Sequence, residues 1–319
     1  MLANLTLLIL GFIFLIKGAG FLVDGASSLA KKFKISNLAI GLTIVAFGTS
    51  LPELIVNILS NFKNSADLAI GNAIGANISN ILLVGGIAAI VYPIKIKSNT
   101  TWREIPLGLL AIAILIILAN NLLLNSGDSL AISRWDGIIL LGFFLIFIYY
   151  TLGIAKAKKN EHSDFTEHRL PLSLAYIVIG IVGLCIGGNW VVGSATSLAK
   201  SLGVSQALIG LTVISIGSTL PEIITSATAA FKKNADFAVG NIIGSIIFNT
   251  SFILGVSALI RPLAFNAQLN IDITVLIIAT FVLFYFVLTG KRKGHIERYE
   301  GIGLVCAYLI YLVFLLWRG

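Results

Sequence analysis

The sequence predicts an all-α integral membrane protein: ten transmembrane helices forming two five-helix repeats of opposite topology. Three observations predict it. Of the 319 residues, 57% are hydrophobic, 11% are charged, and mean hydropathy is +0.99. No soluble domain has that balance, whereas a polytopic chain exposes apolar side chains to lipid. Apolar runs of about 20 residues recur along the whole chain. The halves also repeat: at an offset of 169 residues, Ser36–Asn80 and Ser205–Asn249 share 21 of 45 positions without a gap. Five spans is an odd number, so the second copy enters the membrane upside down.

Taken in order, span 1 covers about residues 4–30; it lacks a basic leader and a small-residue cleavage site, so it reads as a retained span. Span 2 (about 36–61) and span 3 (about 67–92) carry the repeat, which Pro93 closes. Spans 4 (about 104–124) and 5 (about 135–155) complete residues 1–155, the first repeat. A charged linker, KAKKNEHSDFTEHR, occupies 156–169. Residues 170–319 repeat the plan with spans at about 171–199, 205–230, 236–261, 271–290 and 300–317, Pro262 matching Pro93.

Charge orients the spans. The loops after spans 1, 3, 5, 7 and 9 carry sixteen Lys and Arg, the opposite side five. By the positive-inside bias, both termini lie outside the cell and the linker is cytoplasmic. The same bias accounts for the net charge of +8, so nucleic acid is not the expected partner; the lipid bilayer is. No obligatory protein partner is implied. Cys185 and Cys306 lie in apolar spans and read as small hydrophobes.

The stretch around which the rest is organised is GLTIVAFGTSLPE (Gly41–Glu53), which returns as GLTVISIGSTLPE (Gly210–Glu222). Pro52 has no N–H to give the helix, and its ring opposes the carbonyl four residues back. A carboxylate in hydrocarbon costs roughly 3 kcal/mol or more. Among the acidic residues only Glu53 and Glu222 lie mid-span. A buried glutamate can be a neutral acid or a lysine's partner. Lys17, the one basic residue deep in a span, can pair with Asp24 or snorkel but cannot neutralise both glutamates. Broken helices free carbonyls within the bilayer, so the symmetric pair reads as an ion site.

On a helix, Thr49 and Ser50 lie within one turn before Glu53, and Ser218 and Thr219 before Glu222. Asn57 and Ser226 lie one turn beyond. Every donor is oxygen, and His162, His168 and His295 are all in loops. This favours a hard cation over zinc, copper or iron. Two glutamates plus carbonyls suit Ca²⁺, and the same cage suits Na⁺. Spans 3 and 8 carry GNAIGANISN (Gly71–Asn80) and GNIIGSIIFN (Gly240–Asn249). The GxxxG glycines read as helix packing. Asn80 and Asn249 read as lining the site. Asn72 and Asn241 suit cross-helix hydrogen bonding and ligation equally. Asp67 and Asp236 read as helix caps.

The paired GTSLPE and GSTLPE segments, each followed by GNxIG, resemble the alpha repeats of the sodium/calcium exchanger family within the cation/calcium antiporter superfamily. The short linker resembles the minimal prokaryotic type. The resemblance implies Glu53 and Glu222 as central cation ligands. It adds main-chain and hydroxyl ligands from Ala46, Thr49 and Ser50, and from Ser215, Ser218 and Thr219, with Ser245 matching a Na⁺-ligand serine. The family often has serine where Ala76 stands and aspartate where Asn249 stands, which leaves Na⁺ stoichiometry open. The implied function is a cell-membrane antiporter without cofactor, not an enzyme, that exchanges Na⁺ for Ca²⁺ by alternating access. Spans 1 and 6 would slide as its gate. A Ca²⁺/H⁺ or K⁺-dependent Na⁺/Ca²⁺ antiporter is the alternative. A membrane enzyme would need a metal motif or a nucleophile arrangement that the spans lack.

Overall fold

A computed structural model describes residues 2–62, 65–120, 130–156, 167–203, 215–290 and 292–318. Helices dominate, as the apolar runs require: lipid offers no hydrogen bonds, so each span satisfies its own backbone. Among the described residues, eight helices are long and apolar enough to cross a membrane: α1 (Ala3–Phe33), α4 (Ala66–Val91), α5 (Thr100–Ala119), α6 (Arg134–Ala155), α7 (Leu170–Ser201), α10 (Ala235–Ile260), α11 (Leu269–Thr289) and α12 (Arg298–Arg318). A further pair, α2 (Asn37–Thr49) and α3 (Leu51–Phe62), is long and apolar enough only when taken together, and is bent by 47° between its two parts. Its repeat counterpart is described from α8 (Ser215–Ser218) into α9 (Leu220–Phe231); residues 204–214 lie outside the described residues.

Burial follows the repeat. α4 and α10 are the most enclosed spans, at 78% and 83% buried over their most apolar windows, whereas α1 and α7 are near 30%. The repeat helices therefore form the core, and α1 and α7 present broad faces to lipid. These two outer helices pack on each other antiparallel through glycine. Gly11 faces Gly187, Gly18 faces Gly180, and Gly25 faces Ser173. A Cβ at Gly18 would lie 2.9 Å from the Gly180 carbonyl, so only glycine permits that approach. α2 packs parallel to α10 in the same manner, with Gly41 against Gly240 and Ala46 against Gly244. A Cβ at Gly71 or Gly75 would meet nothing within 4 Å among the described residues, so the packing role expected of the GxxxG glycines is seen at Gly240 and Gly244 only.

Two short antiparallel strand pairs tie the halves together. β1 (Ile94–Lys95) pairs with β4 (His295–Ile296), and β2 (Ala131–Ile132) with β3 (Leu263–Ala264). β1 follows the C-terminal end of α4, while β3 packs against the Ala66–Ser79 half of it. The sheets therefore sit at opposite ends of α4, each joining one half of the chain to the other.

Two expectations about charged residues change. Asp236 does not cap α10; it pairs with Lys97, and Asn234 takes the cap by accepting from Phe237 N at 3.3 Å. Asp24 pairs with Lys232 at the end of α9, 2.6 Å away, rather than with Lys17. That bridge spans a cleft of about 590 Å³ between α1 and α9, with Lys17 exposed on its wall.

Candidate cation site at the helix breaks

The break in the first repeat falls at Ser50 (φ −85°, ψ 6°) and that in the second at Thr219 (φ −92°, ψ 4°), positions related by the 169-residue offset. Both residues occupy the bridge region, where a chain leaves one helix before entering the next. Proline follows two residues later in each case, in the first turn, where its missing N–H is tolerated. Glu53 and Glu222 thus fall in the first turns of α3 and α9. The partial positive charge of a helix N-terminus favours an anion there.

The two breaks meet. Ser50 Oγ donates to Glu222 Oε1 at 3.3 Å, so α2 reaches the carboxylate of the other repeat. Thr49 Oγ1 donates to Asn241 Oδ1 at 3.1 Å and to the Ala46 carbonyl at 3.3 Å. Asn241 Nδ2 donates to Ser226 Oγ at 2.9 Å. Across the centre, Thr219 and Ser79 share a hydroxyl contact of 3.0 Å. Asn249 Nδ2 donates to Asn77 Oδ1 at 3.1 Å, and Asn77 Nδ2 to Thr250 at 2.8 Å.

These side chains are fully enclosed: Glu53 and Glu222 are each 1% exposed. Yet several of their polar atoms have no partner among the described residues. They are both Glu53 oxygens, Glu222 Oε2, both side-chain polar atoms of Asn80, Asn249 Oδ1 and Ser245 Oγ. Buried polar groups are rarely left so, and each exception calls for an explanation. A cluster dominated by acceptor oxygens, two of them on one carboxylate, is chemically suited to a cation.

The expected site residues therefore divide. Glu53, Glu222, Thr49, Ser50, Thr219, Asn80, Asn249 and Ser245 are all buried on the repeat helices. Ser218 is half-buried beside Thr219, and the Ala46 carbonyl accepts from Thr49. The Ser215 side chain lies outside the described residues. For Asn241 the structure selects cross-helix hydrogen bonding. Its counterpart Asn72 is half-buried with Nδ2 unpartnered.

The sequence did not disclose the π-helical turns. Among the described residues one covers Gly41–Val45, another opens at Asn80 (Asn80–Val84), a third holds Asn249 (Phe248–Ile253), and a fourth, Thr100–Glu104, opens α5. A π turn inserts one residue into an α-helix, re-aims the side chains beside it, and is frequent at functional sites. The Asn80 turn packs on α9, which bears Glu222, and the Asn249 turn packs on α3, which bears Glu53. Symmetric placement of two re-aimed amides opposite two carboxylates is the detail that single-sequence periodicity misses.

Comparison with known proteins places this arrangement. The family profile described as "sodium/calcium exchanger protein" matches residues 3–153 and 172–317, nearly the whole chain. This chain belongs to the sodium/calcium exchanger family. Inner membrane protein YrbG of Escherichia coli is 34% identical over 99% of this chain and 98% of its own length. Sodium/calcium exchanger MaX1 of Methanosarcina acetivorans is 30% identical over 98% of both chains. A solved structure of the sodium-calcium exchanger NCX_Mj, soaked with Na⁺ and without Ca²⁺, is 31% identical and superimposes with a TM-score of 0.82 over 97% of this chain and 98% of that one. These relatives are of similar size, so the chain is a minimal, prokaryotic-sized member of the family.

Proposed function

We propose that this protein is a secondary antiporter that exchanges Na⁺ for Ca²⁺ across the cell membrane by alternating access. The carrying observation is the set of enclosed oxygens without a partner among the described residues: those of Glu53 and Glu222 beside the two symmetric helix breaks, and those of Asn80, Asn249 and Ser245 on α4 and α10. Family membership and the names of MaX1 and NCX_Mj support the ion pair. The transported ions are substrates here, and the scheme uses no cofactor and no catalysed bond.

In this reading the chain has ten spans, with α8–α9 the second broken crossing. Residues 1–155 and 170–319 are inverted halves joined by a cytoplasmic linker, 156–169, with both termini outside. Antiparallel α1–α7 packing, parallel α2–α10 packing and the strand pairs at opposite ends of α4 support the inversion.

Glu53 and Glu222 serve both ions, so occupancy by Ca²⁺ excludes Na⁺. Hydroxyls and carbonyls of Ala46, Thr49 and Ser50, and of Ser215, Ser218 and Thr219, complete the shell. Two bare carboxylates in low dielectric cost several kcal/mol each. The empty site therefore crosses slowly, and flux in one direction requires a counter-ion in the other. The glycine-lined α1–α7 pair, poorly buried against the core, is the moving gate.

Asn80 and Asn249 hold oxygen in the site without a proton to release, so in the Ca²⁺/H⁺ alternative the coupled protons would ride on Glu53 and Glu222. The rivals are a Ca²⁺/H⁺ and a K⁺-dependent Na⁺/Ca²⁺ exchanger. Ca²⁺ uptake into proteoliposomes with the Na⁺, K⁺ and H⁺ gradients varied singly separates the three. Uptake that follows the Na⁺ gradient alone supports the reading, and uptake that follows the pH gradient rejects it.

A further inference from the structure

Three charged residues outside the central site lie along one cleft, and only two of them are paired. In the topology proposed above, the C-terminal ends of α1 and α9 face the cytoplasm. The cleft of about 590 Å³ between these helices is lined on α1 by Lys17, Gly20 and Asp24, and on the other side by Ile224, Ala227 and, just past α9, Lys232. It follows α9 from its inner end to within one turn of Glu222 and stops there, since Glu222 is 1% exposed.

Asp24 Oδ1 accepts from Lys232 Nζ at 2.6 Å across this cleft. The next residue, Lys233, lies 5.9 Å over the ring of Tyr92, just past the end of α4, which ties the lysine segment to the core rather than to α1. One turn beyond Asp24, Ser27 accepts from Asn234 Nδ2 at 3.3 Å. An ion pair and a neutral hydrogen bond thus fasten the inner end of α1 to the core.

Lys17 is left over. It is exposed on the cleft wall and has no ion pair among the described residues. A spare ammonium deep in a span is costly and is normally met by an acid or by water. Lys17 and Asp24 are seven residues apart, two turns, so they share one face of α1 about 10 Å apart along its axis. Two lysines, one on the core and one on α1, are therefore placed to compete for a single carboxylate. The arrangement is one-sided: at the 169-residue offset, Lys17 and Asp24 correspond to Ile186 and Gly193 on α7, neither of which is charged.

We propose, on the alternating-access reading above, that Asp24 is a two-position latch on the inner side of the transporter. Paired with Lys232 it holds α1 against α9 and keeps the cytoplasmic approach to Glu222 shut. When α1 moves away from α9, the carboxylate passes to Lys17. Neither position leaves the acid bare in the membrane, and two discrete pairings suit a helix with two resting places.

The test is initial uptake of labelled Ca²⁺ into Na⁺-loaded membrane vesicles, inside-out to present the cytoplasmic face and right-side-out to present the outer face. Asp24 and Lys232 are partly exposed, so losing one pairing should shift the balance of states about two- to five-fold rather than abolish transport. Lys232→Met releases the closed position and should lower half-saturating Ca²⁺ at the cytoplasmic face by about that factor, without lowering it at the outer face. Lys17→Met removes the other position and should raise it at the cytoplasmic face by a similar factor. Lys232→Arg keeps the pair and should match the wild type. Simple loss of a cation from the approach of a cation would lower the value in both methionine variants, so opposite signs are the signature of the latch. Half-saturation does not depend on how much protein folds, and the two variants read the latch separately. Shifts of the same sign, equal shifts at both faces, or no shift in either variant overturn it. Wild-type uptake indifferent to the Na⁺ gradient overturns the Na⁺/Ca²⁺ reading instead; the same variants, driven by the gradient that does support uptake, still decide the latch.

Discussion

Replacing Glu53 by glutamine keeps the shape of the side chain and removes one negative charge from the proposed site. Both Glu53 oxygens are enclosed and have no hydrogen-bond partner among the described residues. A carboxylate oxygen about 2.4 Å from Ca²⁺ at an effective dielectric of about 20 contributes roughly 14 kcal/mol before desolvation. Returning the ion to water recovers most of this. If about 4 kcal/mol survives, Ca²⁺ affinity falls roughly 1,000-fold. The ion-free protein responds differently, because glutamine removes a buried carboxylate that has no partner. Glu53→Gln is therefore expected to be at least as stable as the wild type without Ca²⁺, yet transport none. Two assays separate these effects: radiolabelled Ca²⁺ uptake in proteoliposomes, and thermal unfolding in detergent with and without Ca²⁺. Wild-type Ca²⁺ should raise the unfolding temperature through linkage, and the variant should show no rise. A folded Glu53→Gln protein with wild-type Ca²⁺ uptake would refute the reasoning.

Other expectations follow from the same geometry. Asn249→Leu removes a ligand oxygen and should impair Ca²⁺ uptake at every pH. Asn249→Asp keeps the oxygen and should retain Na⁺-driven uptake near neutrality while its pH profile gains a dependence the wild type lacks. A Cβ at Gly180 would lie 2.6 Å from Leu22 N, whereas one at Gly20 meets nothing within 4 Å. Gly180→Val should therefore destabilise by about 1–3 kcal/mol or more and Gly20→Ala should be neutral, as read by thermal unfolding in detergent. Arg318 donates to both oxygens of enclosed Asp272, at 3.1 and 2.9 Å, and the Tyr311 hydroxyl donates to one of them at 2.9 Å, so Arg318→Met should destabilise by roughly 1–3 kcal/mol, leaving the carboxylate only the Tyr311 hydrogen bond. Single cysteines at positions 160 and 319, probed in intact cells with an impermeant reagent, should label at 319 only; labelling at 160 only rejects the orientation, and labelling at both rejects the inverted topology.

Much of this was legible in the residues because membrane-embedded charge is so tightly constrained. Pro52 and Pro221 announce the breaks, Glu53 and Glu222 the buried charges, and the repeat their symmetry. What stayed hidden has physical causes. A π turn needs no special composition, so Asn80–Val84 and Phe248–Ile253 read as ordinary helix. Asp24 lies two turns from Lys17 on one helix, but its ion pair forms with Lys232, 208 positions away, because tertiary packing brings α9 against α1. Asp236 sits where a cap is expected, yet Lys97 from the other half reaches it first, and Asn234 serves the helix instead. Gly71 and Gly240 look alike in sequence, but only Gly240 has a described backbone pressed against it.

The most direct test of the central claim is counter-flow with paired glutamate variants. Na⁺-loaded proteoliposomes carrying wild type, Glu53→Gln or Glu222→Gln are diluted into Na⁺-free medium with labelled Ca²⁺. The wild type should accumulate Ca²⁺, stop when a Na⁺ ionophore collapses the gradient, and continue when a protonophore is added, while both variants stay at background. Uptake that survives loss of the Na⁺ gradient, or that either folded variant sustains, would contradict the account.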